Sequence, residues 1–173
     1  MLMISLYDVP KKEQHEHGRK LLRECLRPYG LPEDAVMEKG SYGKPYFRDR
    51  PDICFNISHA DGIAACIVTE SECGIDCEPC RAYRERVARR SFSPEEQRMI
   101  EEAEPEKRDL LFTRLWTLKE AFVKCIGQGI SYPMATAEFA FDGERIVKSP
   151  EGYRFAHYIL HGGRYVVSVC VKG

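Results

Sequence analysis

The sequence predicts an α+β fold built as two similar halves in tandem. Two observations carry this expectation. Hydrophobic spacing changes along the chain from helical to alternating and back, in the order helix, strands, helices, strands. No flexible linker interrupts that order: the join falls near Glu72 to Arg81, so the halves, residues 1–72 and 73–173, are expected to pack tightly. A chain of 173 residues suits one domain, or two small halves sharing a core.

The elements follow in order. "EQHEHGRKLLRECLRPYG" carries Leu21, Leu22, Cys25 and Leu26 as an apolar stripe at helical spacing, and Pro28 and Gly30 end it. "SYGKPYF" is a turn leading into an extended segment. "DICFNISH" alternates, with Ile53, Phe55 and Ile57 on one face and Cys54, Asn56 and Ser58 on the other, which predicts a strand. Asp61-Gly62 turns the chain into a second strand, "GIAACIVTE", and "CGIDCE" is a third. "SFSPEEQRMIEEA" opens a helix: Ser93 caps, Pro94 fits the first turn and Glu96 completes a capping box. A long helix then runs through "RDLLFTRLWTLKEAFVKCIG" to Gly127. "AEFAF", "YRFAHYIL" and "RYVVSVCV", separated by turn residues, predict an antiparallel meander.

Composition excludes several classes. The net charge is −1, so no global field favours nucleic acid or a membrane surface, and charged partners must be met by local patches. No segment is apolar for long enough to span a bilayer, and the N-terminus lacks the basic region of a signal peptide. Five of the eight cysteines (Cys25, Cys54, Cys66, Cys125 and Cys170) lie in apolar stretches, as reduced buried thiols do, which points to the cytoplasm. Cys73, Cys77 and Cys80 fall short of the four ligands of a structural zinc site.

The chemistry concentrates in a few short stretches. In "GIDCEP", Asp76 and Glu78 are two apart on a strand, so both carboxylates face one way, roughly 6.6 Å apart along the chain. Like charges so placed call for a cation. Oxygen ligands suit a hard ion such as Mg²⁺, which often shares its shell with phosphates. A third carboxylate from another element would complete the set, and Glu120 is available. On the long helix, Leu111, Leu115, Leu118 and Phe122 share one side, while Glu120 and Lys124 lie one turn apart on the other, flanked by Trp116 and Val123. That face reads as a solvated Glu–Lys pair, although Trp116 and Val123 beside it make it less obviously solvent. "FNISH" places Ser58 and His59 at a strand end suited to anions, and "YGKP" offers Lys44 in a turn. "RAYRERVARR" holds Arg81, Arg84, Arg86, Arg89 and Arg90, either a solvated helix or a patch that steers an acidic partner.

Taken together, "YGKP", "FNISH", "GIDCE" and "WTLKEAFVK" resemble, in order and interval, the signature of the 4′-phosphopantetheinyl transferases. The likeness is to the longer single-chain type that activates peptide synthetases, and it runs from Gly18 to about Pro133. It implies the fold of that family, two α+β halves with coenzyme A in the cleft between them. It implies that Asp76, Glu78 and Glu120 hold Mg²⁺, or Mn²⁺, on the coenzyme's pyrophosphate. Lys124 would then sit near the transferring phosphate, with Lys119 the second matching lysine. Lys44, Ser58 and His59 would contact the phosphates and adenosine. Arg19 resembles a family arginine near the 3′-phosphate. The basic segment before the first helix is shorter than in many members, leaving Lys11, Lys12, Arg19 and Lys20 for that phosphate. The implied reaction moves the phosphopantetheine arm of coenzyme A to a serine of an apo acyl or peptidyl carrier protein of fatty-acid, polyketide or peptide biosynthesis, releasing 3′,5′-ADP. Glu120 is the first candidate for the base and Glu78 the second. A monomer is expected. The competing readings are a metal-dependent hydrolase of coenzyme A or another nucleotide diphosphate, and a non-catalytic binding module.

Overall fold

The computed structural model describes residues 1–7, 13–32 and 35–173. Lys11 and Lys12 lie outside the described residues. The chain begins with strand β1 (Leu2–Leu6), which the sequence reading did not assign, followed by helix α1 (Gln14–Leu26). A short hairpin, β2 (Met37–Lys39) and β3 (Pro45–Phe47), leads to β4 (Cys54–Ala60) and β5 (Ile63–Thr69). These strands form an antiparallel sheet in the order β1-β5-β4.

The second half repeats the scheme. Strand β6 (Cys73–Pro79) is followed by helices α2 (Glu85–Ser91), α3 (Pro94–Glu102) and α4 (Pro105–Ile126). A second hairpin, β7 (Ala140–Asp142) and β8 (Arg145–Lys148), precedes β9 (Tyr153–Leu160) and β10 (Tyr165–Lys172). Their sheet has the order β6-β10-β9, the same arrangement as the first. The predicted C-terminal meander is therefore divided: β7 pairs only with β8, and β9 pairs with β10. β2 and β8 are three and four residues long, too short for alternation to register them.

Alternation along β5 builds two apolar layers at once. Ala64, Cys66 and Val68 meet Leu21, Leu22 and Cys25 of α1. Ile63, Ala65 and Ile67 face the other way and meet Ile75 and Cys77 of β6 and Val167 and Val169 of β10. A third layer packs Leu115, Leu118 and Phe122 of α4 with Cys170 and Phe139. The layers therefore run α1, first sheet, second sheet, α4.

Local rules place the helices. Ser93 accepts from the Glu96 amide and Glu96 answers to the Ser93 amide, the reciprocal cap expected from the sequence. α4 stops at Gly127, which takes φ 71°, the left-handed conformation that favours glycine. β6 can lie directly on α4 because residue 74 is glycine. A Cβ there would fall 2.0 Å from the Ala121 carbonyl oxygen and 2.4 Å from the Cys125 nitrogen. β4 crosses the free edge of β6. Asn56 Oδ1 accepts from the Ile75 amide at 2.9 Å and Ser58 Oγ from the Cys77 amide at 3.3 Å. Two side chains thus satisfy backbone donors that an open sheet edge would leave unpaired.

Candidate functional site

Gly74, Asp76 and Glu78 share the face of β6 that looks at α4, while Ile75 and Cys77 fill the apolar layer behind them. The close approach at Gly74 brings Asp76 to Lys124, and their ion pair is 2.6 Å long. The side chain of Asp76 is 6% exposed and that of Lys124 29%. Ser58 joins them from β4. Its hydroxyl donates to Asp76 Oδ1 at 2.9 Å and accepts from Lys124 Nζ at 3.2 Å. Both bonds to Asp76 end on Oδ1. Oδ2 is buried and, among the described residues, has no hydrogen-bond partner. A buried carboxylate oxygen without a partner is costly.

The neighbouring acids respond to that charge. The Glu120 carboxyl is held above its ordinary value, first by burial and then by Asp76, with Lys124 opposing. The Glu78 carboxyl is raised in the same way, by burial and then Asp76, with Arg81 and Lys124 opposing. Burial pushes the Lys124 ammonium down, but Asp76 and Glu120 outweigh it and its proton is held more tightly than usual. Glu78 is engaged by Arg81, whose Nε donates at 2.9 Å. Among the described residues no three His, Cys, Asp or Glu side chains are grouped to hold a metal as they stand. The donor set nevertheless fits a hard divalent cation: Asp76 Oδ2 has no partner among the described residues, and the charges of Glu78 and Glu120 are uncomfortable where they lie.

Of these residues, Glu120 and Lys124 line a cleft of about 890 Å³, and Asp76 and Ser58 lie behind Lys124, bonded to its ammonium. Trp116 and Val123 of α4 line the cleft beside them, Lys44 and Asn56 come from the first half, and Gly129, Ser131, Tyr132, Pro133 and Met134 also line it. Glu120 and Lys124 are therefore half-buried at the cleft and not paired with each other among the described residues. Lys124 turns to Asp76 across the junction, and Trp116 and Val123 are cleft wall.

The remaining expected residues are placed as follows. His59 on β4 is exposed and its ring lies 5.9 Å from that of His15 on α1. Burial, then His15 and Lys124, lower its pKa, so it is neutral at neutral pH. Arg19 is exposed on α1, next to Gly18, which packs against Ile57 and His59. Two lysines differ from expectation. Lys44 lines the cleft, but its ammonium donates to the carbonyls of Cys73 (2.9 Å) and Cys125 (2.7 Å), capping the last turn of α4. Lys119 lies in the core with no exposed side-chain surface, paired with Glu96 at 2.7 Å. It faces away from the cleft, because residues 119 and 120 are about 100° apart around the helix. Sequence reasoning did not assign a role to Asn56 or Tyr132, and it read Glu96 only as the helix cap. For Asn56 the signal was present, since it alternates with Ser58 on one face of β4. α2 begins only at Glu85, so Arg81 and Arg84 precede it, and Arg86 and Arg90 line the cleft.

A family model described as the 4′-phosphopantetheinyl transferase superfamily matches residues 72–170, the stretch from the start of β6 into β10. The chain belongs to the 4′-phosphopantetheinyl transferase superfamily. Among relatives in that superfamily, a 4′-phosphopantetheinyl transferase of Bacillus subtilis is 34% identical over 159 residues, 88% of this chain and 71% of its own. The transferase Sfp of Bacillus subtilis strain 168 is 31% identical over 79% of this chain and 62% of its own length. The chain thus spans between about three-fifths and seven-tenths of these relatives. Among solved structures, the holo-[acyl-carrier-protein] synthase of Thermotoga maritima aligns with 59% of this chain and 62% of its own, at 23% identity and TM-score 0.47. No helix among the described residues is long and apolar enough to cross a membrane.

Proposed function

We propose that the protein transfers the phosphopantetheine arm of coenzyme A to a serine of an apo carrier protein. The observation that carries this reading is the buried Asp76, with Oδ2 partnerless among the described residues and Oδ1 paired to Lys124, which together with Glu120 lines a cleft of about 890 Å³. Asp76, Glu78 and Glu120 would hold Mg²⁺ or Mn²⁺. When bound, the cation supplies neutralising charge to the coenzyme's diphosphate. Glu78 must first loosen its bond to Arg81. Glu120 has a raised proton affinity, which suits a base that takes the serine proton as the hydroxyl attacks the β-phosphate. Glu78 is the second candidate. Lys124 stays protonated and balances the charge of the departing 3′,5′-ADP. His59 and Arg19 are offered to the coenzyme's other phosphates. The charge of Lys44 is already committed to backbone carbonyls. Both halves contribute to the cleft, so one chain suffices, and the reduced cysteines suit the cytoplasm.

Incubation with coenzyme A, Mg²⁺ and several apo carrier proteins tests this. A carrier mass gain equal to the phosphopantetheine arm is expected, abolished in Asp76→Ala and strongly reduced in Glu120→Gln. Coenzyme A breakdown at the same rate without any carrier would replace transfer with hydrolysis.

A further inference from the structure

The Glu96–Lys119 pair takes no part in the chemistry above, yet it is the most completely satisfied ionic group in the described residues. Neither side chain is more than 1% exposed. Lys119 Nζ gives its three protons to Glu96 Oε2 at 2.7 Å, the Met134 carbonyl at 2.9 Å and the Ala137 carbonyl at 2.5 Å. Glu96 Oε1 accepts from the Phe139 amide at 2.9 Å, and its Oε2 accepts from the Ser93 amide at 2.8 Å. Phe92 and Phe139 shield the ammonium, with ring centroids 5.6 and 6.0 Å away. A pair this dry is a poor source of stability, because apolar residues of the same volume do as well or better. Its distinctive product is geometric. Five contacts bind four stretches of chain: the start of α3, the middle of α4, residues 134–137 and the approach to β7. One of those stretches, through Met134 and its neighbours Pro133 and Tyr132, lines the cleft, and so do Glu120 and Trp116, on the same helix as Lys119.

We propose that Glu96 and Lys119 are positioning residues that fix the cleft wall made by Tyr132, Pro133 and Met134 at a set distance from α4, and so set the width of the substrate site. Lys119 acts through Met134 and does not itself touch the substrate. The coenzyme arm of the test rests on the transferase reading; the fluorescence arm does not.

Trp116 is the single tryptophan and lines the cleft, so its fluorescence reports the gap directly. Acrylamide quenching of Trp116 and coenzyme A affinity are measured for the parent, Lys119→Met, Glu96→Gln and the control Val68→Ala. Val68 is buried against α1 in the first half, so its variant is destabilised without touching the wall. All are assayed well below their unfolding midpoints. A merely structural role predicts that pair and control variants behave alike. Positioning predicts freer quenching and weaker coenzyme A binding in the pair variants alone. For a wall displaced by about 1 Å, kcat/KM falls about 100-fold. Lys119→Arg keeps the charge and restores part of the loss. Should a single variant fail to fold, the double variant Glu96→Leu with Lys119→Met removes both charges while keeping the volume filled, and is expected to fold. Parent-like quenching in the double variant, or in both single variants, overturns the proposal. A parent that fails to bind coenzyme A removes the transferase reading and leaves the quenching result to decide the role of the pair.

Discussion

Asp76 is the residue on which the site turns, because its two oxygens are treated so differently. Oδ1 takes a bond from Ser58 and another from Lys124, and Oδ2 takes none from the described residues. The imbalance is felt by Glu120, whose pKa is raised, and the sign of the consequence is definite. A carboxyl whose folded pKa exceeds its unfolded value binds the proton better in the folded state. It therefore destabilises when ionised, a cost that vanishes below the ordinary value of 4.5 and is complete above the raised one. Stability without metal accordingly falls as pH rises through that window, and so does that of the Glu78 carboxyl by the same rule. Glu120→Gln should raise the midpoint at neutral pH by roughly 2–4 °C for each kcal/mol relieved. It should also erase the stabilisation that Mg²⁺ gives the parent, which grows with pH across the same window. Thermal melts with and without Mg²⁺ at several pH values check both. A midpoint in Glu120→Gln that is lower without metal would mean Glu120 is not strained. These acids were legible in the sequence as paired spacing and motif. The lysines were not equally legible, because a chain of letters does not show where an ammonium ends. Lys124 reaches the site, whereas Lys44 and Lys119 end on main-chain carbonyls.

At the scale of elements, the decisive contact is that of β6 on α4. A side chain on the strand normally stands between a strand and the helix packed on it. Gly74 removes that spacer where Ala121 and Cys125 pass, so the carboxylates of β6 come within reach of Lys124 and Glu120. Gly74→Ala places a methyl against backbone that has no rotamer to change. A loss of about 3 kcal/mol is expected, the upper end of the overpacking range. Divalent-dependent stabilisation should fall further than Tm alone accounts for, because β6 must shift away from α4. Unfolding titrations with and without Mg²⁺ measure both, and an unchanged metal response would show that the site tolerates the shift. Long elements with strong signals could be read from sequence: α1, α3 with its cap, α4, β4, β5, β6, β9 and β10. β1 was missed because its pattern, "LMISL", is apolar throughout most of its length and lies at an end with no turn before it. One strand of each hairpin, β2 and β8, was missed because three or four residues cannot establish a period. None of the missed elements carries a carboxylate of the site, which is why the site was more legible than the whole fold.

Across the whole molecule, the two halves repeat one scheme: a strand, a helix, a hairpin and two strands, in sheets of order β1-β5-β4 and β6-β10-β9. Repetition of this kind invites the view that each half is a small domain. The distribution of the core argues otherwise. Ile63, Ala65 and Ile67 of the first half are buried in a layer shared with Ile75, Cys77, Val167 and Val169 of the second. Burial of a single isoleucine contributes about 1.5–3 kcal/mol. A chain of 72 residues rarely draws more than about 3–5 kcal/mol from its own core. Exposing Ile63 and Ile67 alone would use up that margin. Asn56 and Ser58 would also lose the β6 amides that they satisfy, and the edge of β6 would be open to pairing with other chains. Separately produced fragments 1–72 and 73–173 should therefore show no cooperative melt alone, and regain one when mixed, together with divalent-dependent stabilisation. Circular dichroism melts of each fragment and of the equimolar mixture provide the measurement. A cooperative transition in fragment 1–72 by itself would mean that the α1 layer suffices, and that the shared layer serves to align the two sides of the cleft rather than to hold the fold together.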